Sequence, residues 1–378
     1  MRRLPGFALL LMGSVLVVEA AGIGSAHSAD AAGPDGDGSF ELELPAGFPP
    51  PRVPVGNPLS SDKVELGRHL FFDRRLSLDG TFSCADCHVP AQAFTDGRGR
   101  AIGVTGEAHP RGAMSLANVA YNPSFNWDDP DTTSLEEQMR VPMFSMKPIE
   151  MGIAGHEAEV LERIGREARY GPLFEAAFPA DRNPITFDNI VLAIASFERT
   201  LLSGNSAYDR YVYWDERQAM TASARRGMGL FFSDRLRCAE CHAGFNLSGP
   251  VVWEGGPAAE PEFHNTALYN VDGAGGYPAD NRGLMSHTGR GADMGRFRAP
   301  TLRNIALTAP YMHDGSLETL EEVIDHYAAG GRASTNPHKS DRLTGFALTP
   351  GERIDLVRFL ESLTDSSFID NPTVSDPW

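Results

Sequence analysis

Cys84-Ala85-Asp86-Cys87-His88 and Cys238-Ala239-Glu240-Cys241-His242 contain all four cysteines of this 378-residue chain. Two cysteines three positions apart lie about one helical turn apart, so both thiols can reach the two vinyl groups on one edge of a porphyrin. The adjacent histidine then turns under the ring and offers its imidazole to iron, so each stretch reads as a covalent c-type haem site. A zinc knuckle draws its four ligands from two Cys/His pairs at matching spacing. Here a histidine follows each pair at once, and both copies have similar surroundings. A disulfide framework has no fifth cysteine to build on. Two covalently bound haems c place the chain in redox chemistry.

Outward from the two motifs lies a weak internal duplication. Glu65-Leu-Gly-Arg-His-Leu-Phe-Phe-Asp-Arg-Arg-Leu76 precedes the first motif, and Arg226-Gly-Met-Gly-Leu-Phe-Phe-Ser-Asp-Arg-Leu236 precedes the second. Each copy reads as a helix that breaks into a loop before the haem site. Ile190, Ile194, Phe197 and Leu201 recur at helical spacing over Asn189 to Leu202. Thr349-Pro350-Gly351-Glu352 is a capping box with proline at the first helical position, and the helix it opens carries Leu356, Phe359, Leu360 and Leu363 on one face. Thr319 with Glu322 is a second capping box. Strand alternation is scarce, and Gly- and Pro-rich loops such as Gly249 to Arg298 fill the rest. The fold class is mostly α with long irregular loops, as two cytochrome c-like haem domains at 56–206 and 207–365. A flexible leader (30–55) and a loose tail (366–378) flank them.

Residues 1–29 read as a cleavable secretory signal: Arg2 and Arg3, an apolar run from Phe7 to Val18, then small residues with Ala26-His27-Ser28 as a cleavage site. The run is short for a membrane span, which takes roughly 20 residues. Export agrees with haem c, which bacteria attach outside the cytoplasm, so a periplasmic location without stable membrane insertion is expected. With 33 basic against 50 acidic residues the net charge is −17, which argues against nucleic acid and anionic membrane surfaces.

The paired motifs, the LFFD and LFFS repeats and Pro300-Thr-Leu-Arg-Asn-Ile-Ala-Leu-Thr-Ala-Pro-Tyr-Met-His-Asp-Gly315 resemble the dihaem cytochrome c peroxidase/MauG family, from roughly Pro58 to Thr364. The resemblance implies a peroxide-reactive N-terminal haem on His88 and a six-coordinate C-terminal haem on His242. In the ordinary peroxidases the sixth ligand is methionine, and in MauG it is tyrosine. Leu320, Val323, Ile324 and Tyr327 share one helical stripe, and the motif matched without gaps puts Tyr327 at the ligand position. Met312 and Met294 are the rivals, and a plain core tyrosine is the alternative. The resemblance further implies Glu150 as acid/base, Gln138 and Pro142 as distal-pocket residues, and Trp127 as a relay between the haems. It puts Val104 where some family members carry a distal histidine, with His109 five residues away. Arg303 and Asn304 are expected to pair with haem propionates or to hold the nearby loop. A calcium ion would take the carbonyls of Thr308 and Pro310, but Gly112 stands where the family has a ligating asparagine.

These features point to an oxidoreductase that reacts with hydrogen peroxide and oxidises a partner protein by long-range electron transfer. The main alternative is a peroxidase that draws electrons from a small cytochrome or cupredoxin. A dihaem electron carrier without catalysis is the third reading.

Overall fold

The LFF repeats build the frame. In the computed structural model, which describes residues 40–378, the first repeat forms the Ser61–Phe72 helix, capped by Ser60, whose hydroxyl accepts from the Lys63 N–H. It crosses the Phe187–Glu198 helix, which starts at its own cap, Thr186. Gly67 sits at the crossing, where a Cβ would run into the Ala193 carbonyl. Phe71 and Phe72 then lie 5.2 and 6.3 Å from the Phe197 ring. The second repeat does the same. Its Ala222–Phe231 helix crosses the Pro350–Glu361 helix at Gly227, where a Cβ would meet the Asp355 carbonyl. Phe231 and Phe232 lie 5.0 and 6.1 Å from Phe359. In both halves the glycine stands four residues before the first phenylalanine, and the touched carbonyl four before the partner phenylalanine. Burial of a phenylalanine side chain is worth roughly 1.5–3 kcal/mol, so Phe71, Phe72 and Phe197 support one crossing and Phe231 and Phe359 the other, while Phe232 stays exposed.

The capping boxes at Thr349/Glu352 and Thr319/Glu322 form as read. The fold is mostly helical with long loops, and among the described residues regular sheet is confined to an antiparallel ribbon in which Phe263 pairs with Arg298 and His264 with Phe297. Buried apolar residues gather in one cluster from Leu66 to Leu201 and another from Tyr208 to Leu363, with a smaller one at Leu268, Tyr277 and Phe297.

Two segments differ from expectation. The 366–378 stretch is not loose: Phe368 and Val374 are buried in the first cluster, and Arg68 donates to the Ser375 and Pro372 carbonyls. Its Ser-, Asp- and Pro-rich composition hid three apolar anchors, the third being Trp378, 5.3 Å from the His69 ring. The later part of the 30–55 leader is also packed, with Phe48 buried and 4.7 Å from the Phe245 ring. Residues 1–29, expected to be a secretory signal, and residues 30–39 lie outside the described residues.

A second duplication emerges where the halves join. Asn118 and Asn304 both adopt the left-handed conformation (φ 59° and 60°) and each opens a short 3-10 turn. Asparagine tolerates this conformation better than most residues. Both reach Ser203: Asn118 Nδ2 donates to its carbonyl at 2.9 Å, and Asn304 Nδ2 to its hydroxyl at 2.9 Å. Buried Asp365 completes the knot by accepting from Ser203 Oγ and from the N–H groups of Gly204 and Asn205.

Candidate dihaem redox site

The second half encloses a cavity of about 280 Å³ with Cys238, Cys241 and His242 on its wall. The His242 ring is held from behind, with Nδ1 3.1 Å from the Pro300 carbonyl and 3.3 Å from that of Leu247. A ligating histidine typically donates its other ring N–H to such an oxygen, which leaves Nε2 free for a metal. Burial lowers the His242 pKa to about 4, so the imidazole is neutral and able to ligate. The same cavity is lined by Tyr327, from the Leu320–Ala328 helix, and by Ile324, Leu302, Ile305, Leu356 and Leu360. The Tyr327 pKa is raised by burial and by the nearby Cys241 and Cys238. Its neighbour His326 is turned away, bonded to the Thr266 carbonyl and the Arg332 N–H. Met312 also lines the cavity, whereas Met294 packs in the small cluster with Trp127.

Arg303 does not point its charge into this space. It is fully buried, with NH1 2.7 Å from Asp209 and Nε 2.9 Å from the Phe245 carbonyl. Its guanidinium is consumed inside the fold, so it holds the loop, and the expected propionate role passes away from it. Asn304 likewise ties the junction. The cavity has a different uncommitted cation: Arg298, buried, with no carboxylate among the described residues within ion-pair reach. Apolar walls, a neutral histidine and a phenol on one cavity, and a buried unpaired guanidinium fit a propionate-bearing haem.

The cavity runs on to Trp127 and to the Thr95–Arg98 loop that follows the first motif. Trp127 donates its indole N–H to the Gly112 carbonyl at 2.9 Å, and its own carbonyl accepts from the Arg298 N–H at 2.8 Å. Its ring is 6.5 Å from that of His313, which stacks on Phe297 at 3.7 Å. His313 Nε2 is buried without a partner, and burial holds its pKa down.

At the first motif, His88 is set up as His242 is, with Nδ1 2.9 Å from the Phe94 carbonyl. The four cysteines form no disulfide. Glu150 is half-buried, and burial alone raises its pKa to about 7. Three contacts fix its backbone. Its carbonyl accepts from Val104 N at 2.7 Å, the neighbouring Met151 N–H donates to the Pro142 carbonyl at 3.0 Å, and Gly103 sits where a Cβ would strike Ile149 and Glu150 backbone atoms. Pro142 lies inside the Leu135–Phe144 helix, one turn beyond Gln138, whose Nε2 is 3.4 Å from Asn126 Oδ1 beside Trp127. Glu150, Pro142 and Val104 therefore meet through backbone contacts, and Gln138 reaches Asn126, the chain neighbour of Trp127. His109 is engaged in its own turn, accepting from Arg111 N at 3.1 Å.

Of the residues expected around a calcium ion, Thr308 and Pro310 line the cavity, and the Gly112 carbonyl accepts from the Trp127 indole N–H. Sequence reading missed Arg298, His313 and the buried Asp128–Arg111 pair next to Trp127. Arg298 stands two residues before the recognised Pro300 motif, and His313 lies inside it, so only their burial was hidden.

A family signature described as di-haem cytochrome c peroxidase matches residues 61–217. The methylamine utilization protein MauG of Methylorubrum extorquens is 37% identical, over 82% of this chain and 80% of its own. The cytochrome-c peroxidase IdrP1 of Denitromonas iodatirespirans is 35% identical, over 89% and 90%. The crystal structure of a MauG-like protein associated with microbial copper homeostasis superposes with a TM-score of 0.87 at 45% identity, over 90% of this chain and all of that one.

Proposed function

The chain belongs to the dihaem cytochrome c peroxidase family and is an oxidoreductase of the peroxidase class, and from that premise we propose that it is a MauG-like, periplasmic member. It takes oxidising equivalents from hydrogen peroxide and spends them on a tryptophan or tyrosine of a partner protein.

The carrying observation is that Tyr327, one turn beyond buried Ile324 on its helix, lines the cavity of Cys238, Cys241 and His242. His88 and His242 would hold the two irons, with the thiols of Cys84, Cys87, Cys238 and Cys241 as the covalent tethers and Tyr327 as a further ligand to the iron held by His242. When bound, the haems supply peroxide reduction and electron storage. A phenolate is a hard anionic donor that favours oxidised iron, whereas a thioether favours reduced iron. Glu150 takes a proton from incoming peroxide on a carboxylate oxygen and returns it to the oxygen that leaves as water. Pro142 and Gln138 wall the same space, and Val104 in place of a histidine leaves it open. Trp127, between the two sites, provides an oxidisable ring in a gap too long for one transfer.

The 45% identity to a MauG-like protein associated with microbial copper homeostasis supports placing the chain with the MauG-like members. The test is turnover with hydrogen peroxide and a reduced small cytochrome or cupredoxin. Slow turnover alongside fast consumption of the first equivalent of peroxide is expected. Rapid sustained turnover would make the chain an ordinary peroxidase and overturn the proposal. Ferric spectra should also lack a sulfur-to-iron band in the red, and its presence would remove Tyr327 in favour of Met312.

A further inference from the structure

Five arginines line the C-terminal cavity: Arg98, Arg237, Arg298, Arg303 and Arg342. Arg303 is committed to Asp209, Arg237 to Glu240 and Arg342 to Glu262. Arg98 is exposed at the rim. Arg298 is 7% exposed, and its side-chain contacts are a 3.3 Å bond from Nε to the Asn126 carbonyl and a 3.6 Å approach of NH2 to Met114 Sδ. Neither carries charge. A buried cation is expensive unless an anion meets it. Arg298 is in the two-residue ribbon with Phe263, and its N–H is bonded to the Trp127 carbonyl.

We propose that Arg298 is the charge partner of a carboxylate on the group that fills this cavity, a haem propionate, on the wall shared with Trp127. The pairing does two things. It supplies the counter-charge that the fold omits, and it ties the cofactor to the backbone of the relay tryptophan through one residue. Arg298 is thus a positioning residue that also sets the potential: a buried positive charge disfavours the oxidised, more positive iron, so it raises the reduction potential of the C-terminal haem. Burial draws the guanidinium pKa down to about 10, which still leaves it charged at neutral pH. The inference rests on haem in the cavity but not on the partner protein or on Tyr327.

The experiment compares wild type, Arg298→Lys and Arg298→Met, each as the dihaem protein. Spectroelectrochemistry gives the two midpoint potentials, and resonance Raman reads the propionate bending bands. Arg298→Met should lower the C-terminal potential, leave the N-terminal one near its wild-type value and shift a propionate band. Arg298→Lys, which keeps the charge and loses the planar fork, should shift the band with a smaller change in potential. Unchanged bands and potentials in a fully loaded Arg298→Met protein would overturn the pairing. If that variant fails to accumulate with both haems, Arg298→Lys decides by the same band. A sulfur-to-iron transition in the wild type would sink tyrosine ligation and leave this pairing standing.

Discussion

Replacing Glu150 by glutamine tests the proton-transfer role. An ordinary glutamate, with a pKa of about 4.3, is protonated in roughly one molecule in 500 at pH 7. With the pKa raised to about 7 by burial, close to half of the Glu150 side chains hold a proton and half are free to take one. A group poised in this way can accept a proton from peroxide and return it within one encounter. Such transfers contribute about 10²- to 10⁴-fold to a rate. Glutamine matches the shape and leaves the Val104 and Pro142 backbone contacts in place, but it cannot carry the proton. Stopped-flow absorbance in the Soret region, with hydrogen peroxide in excess, gives the second-order constant. In the wild type it should rise with pH through about 7, because the ionised carboxylate starts the cycle. In Glu150→Gln it should drop by about two orders of magnitude or more and lose that pH dependence. Both haems should stay attached. A variant with wild-type speed and the same pH profile refutes the role.

Stability carries a related sign. Glu150 binds a proton more tightly in the folded protein than in the unfolded chain, so its contribution is complete below the unfolded pKa and is lost as pH rises through about 7. Glu150→Gln should therefore lose less thermal stability than wild type between acid and mildly alkaline pH, as read by calorimetry. Tyr327→Met should introduce a sulfur-to-iron band and raise the potential of the C-terminal haem, and unchanged spectra would place the ligand elsewhere. Gly67→Ala and Gly227→Ala each force a methyl group into a facing helix carbonyl, so each should cost about 1–3 kcal/mol in denaturant unfolding, and a neutral result would contradict the close crossings. Asp365→Ala strands the donors of Ser203, Gly204 and Asn205 and should cost about 1–3 kcal/mol.

The chemistry was legible in the chain because it depends on local spacing. Two Cys-x-x-Cys-His stretches present thiols and imidazole within one turn, and a helical stripe from Leu320 to Tyr327 can be read from periodicity alone. The capping boxes at Thr319 and Thr349 are equally local, since each satisfies backbone donors within four residues. The internal repeat was visible through its phenylalanines, but the role of Gly67 and Gly227 was not, because it depends on how closely a distant helix approaches.

Charge pairing belongs wholly to the tertiary structure. Arg303 and Arg298 are five residues apart in one loop and look alike as sequence. Asp209, 94 positions away, neutralises the first, and no carboxylate among the described residues neutralises the second. The same holds for Phe368 and Trp378, which composition assigned to a loose tail and packing placed against the N-terminal half. Which residues carry redox chemistry follows from side-chain type and spacing. Which charges remain free to meet a cofactor depends on contacts between segments far apart in the chain, and those exist only after folding.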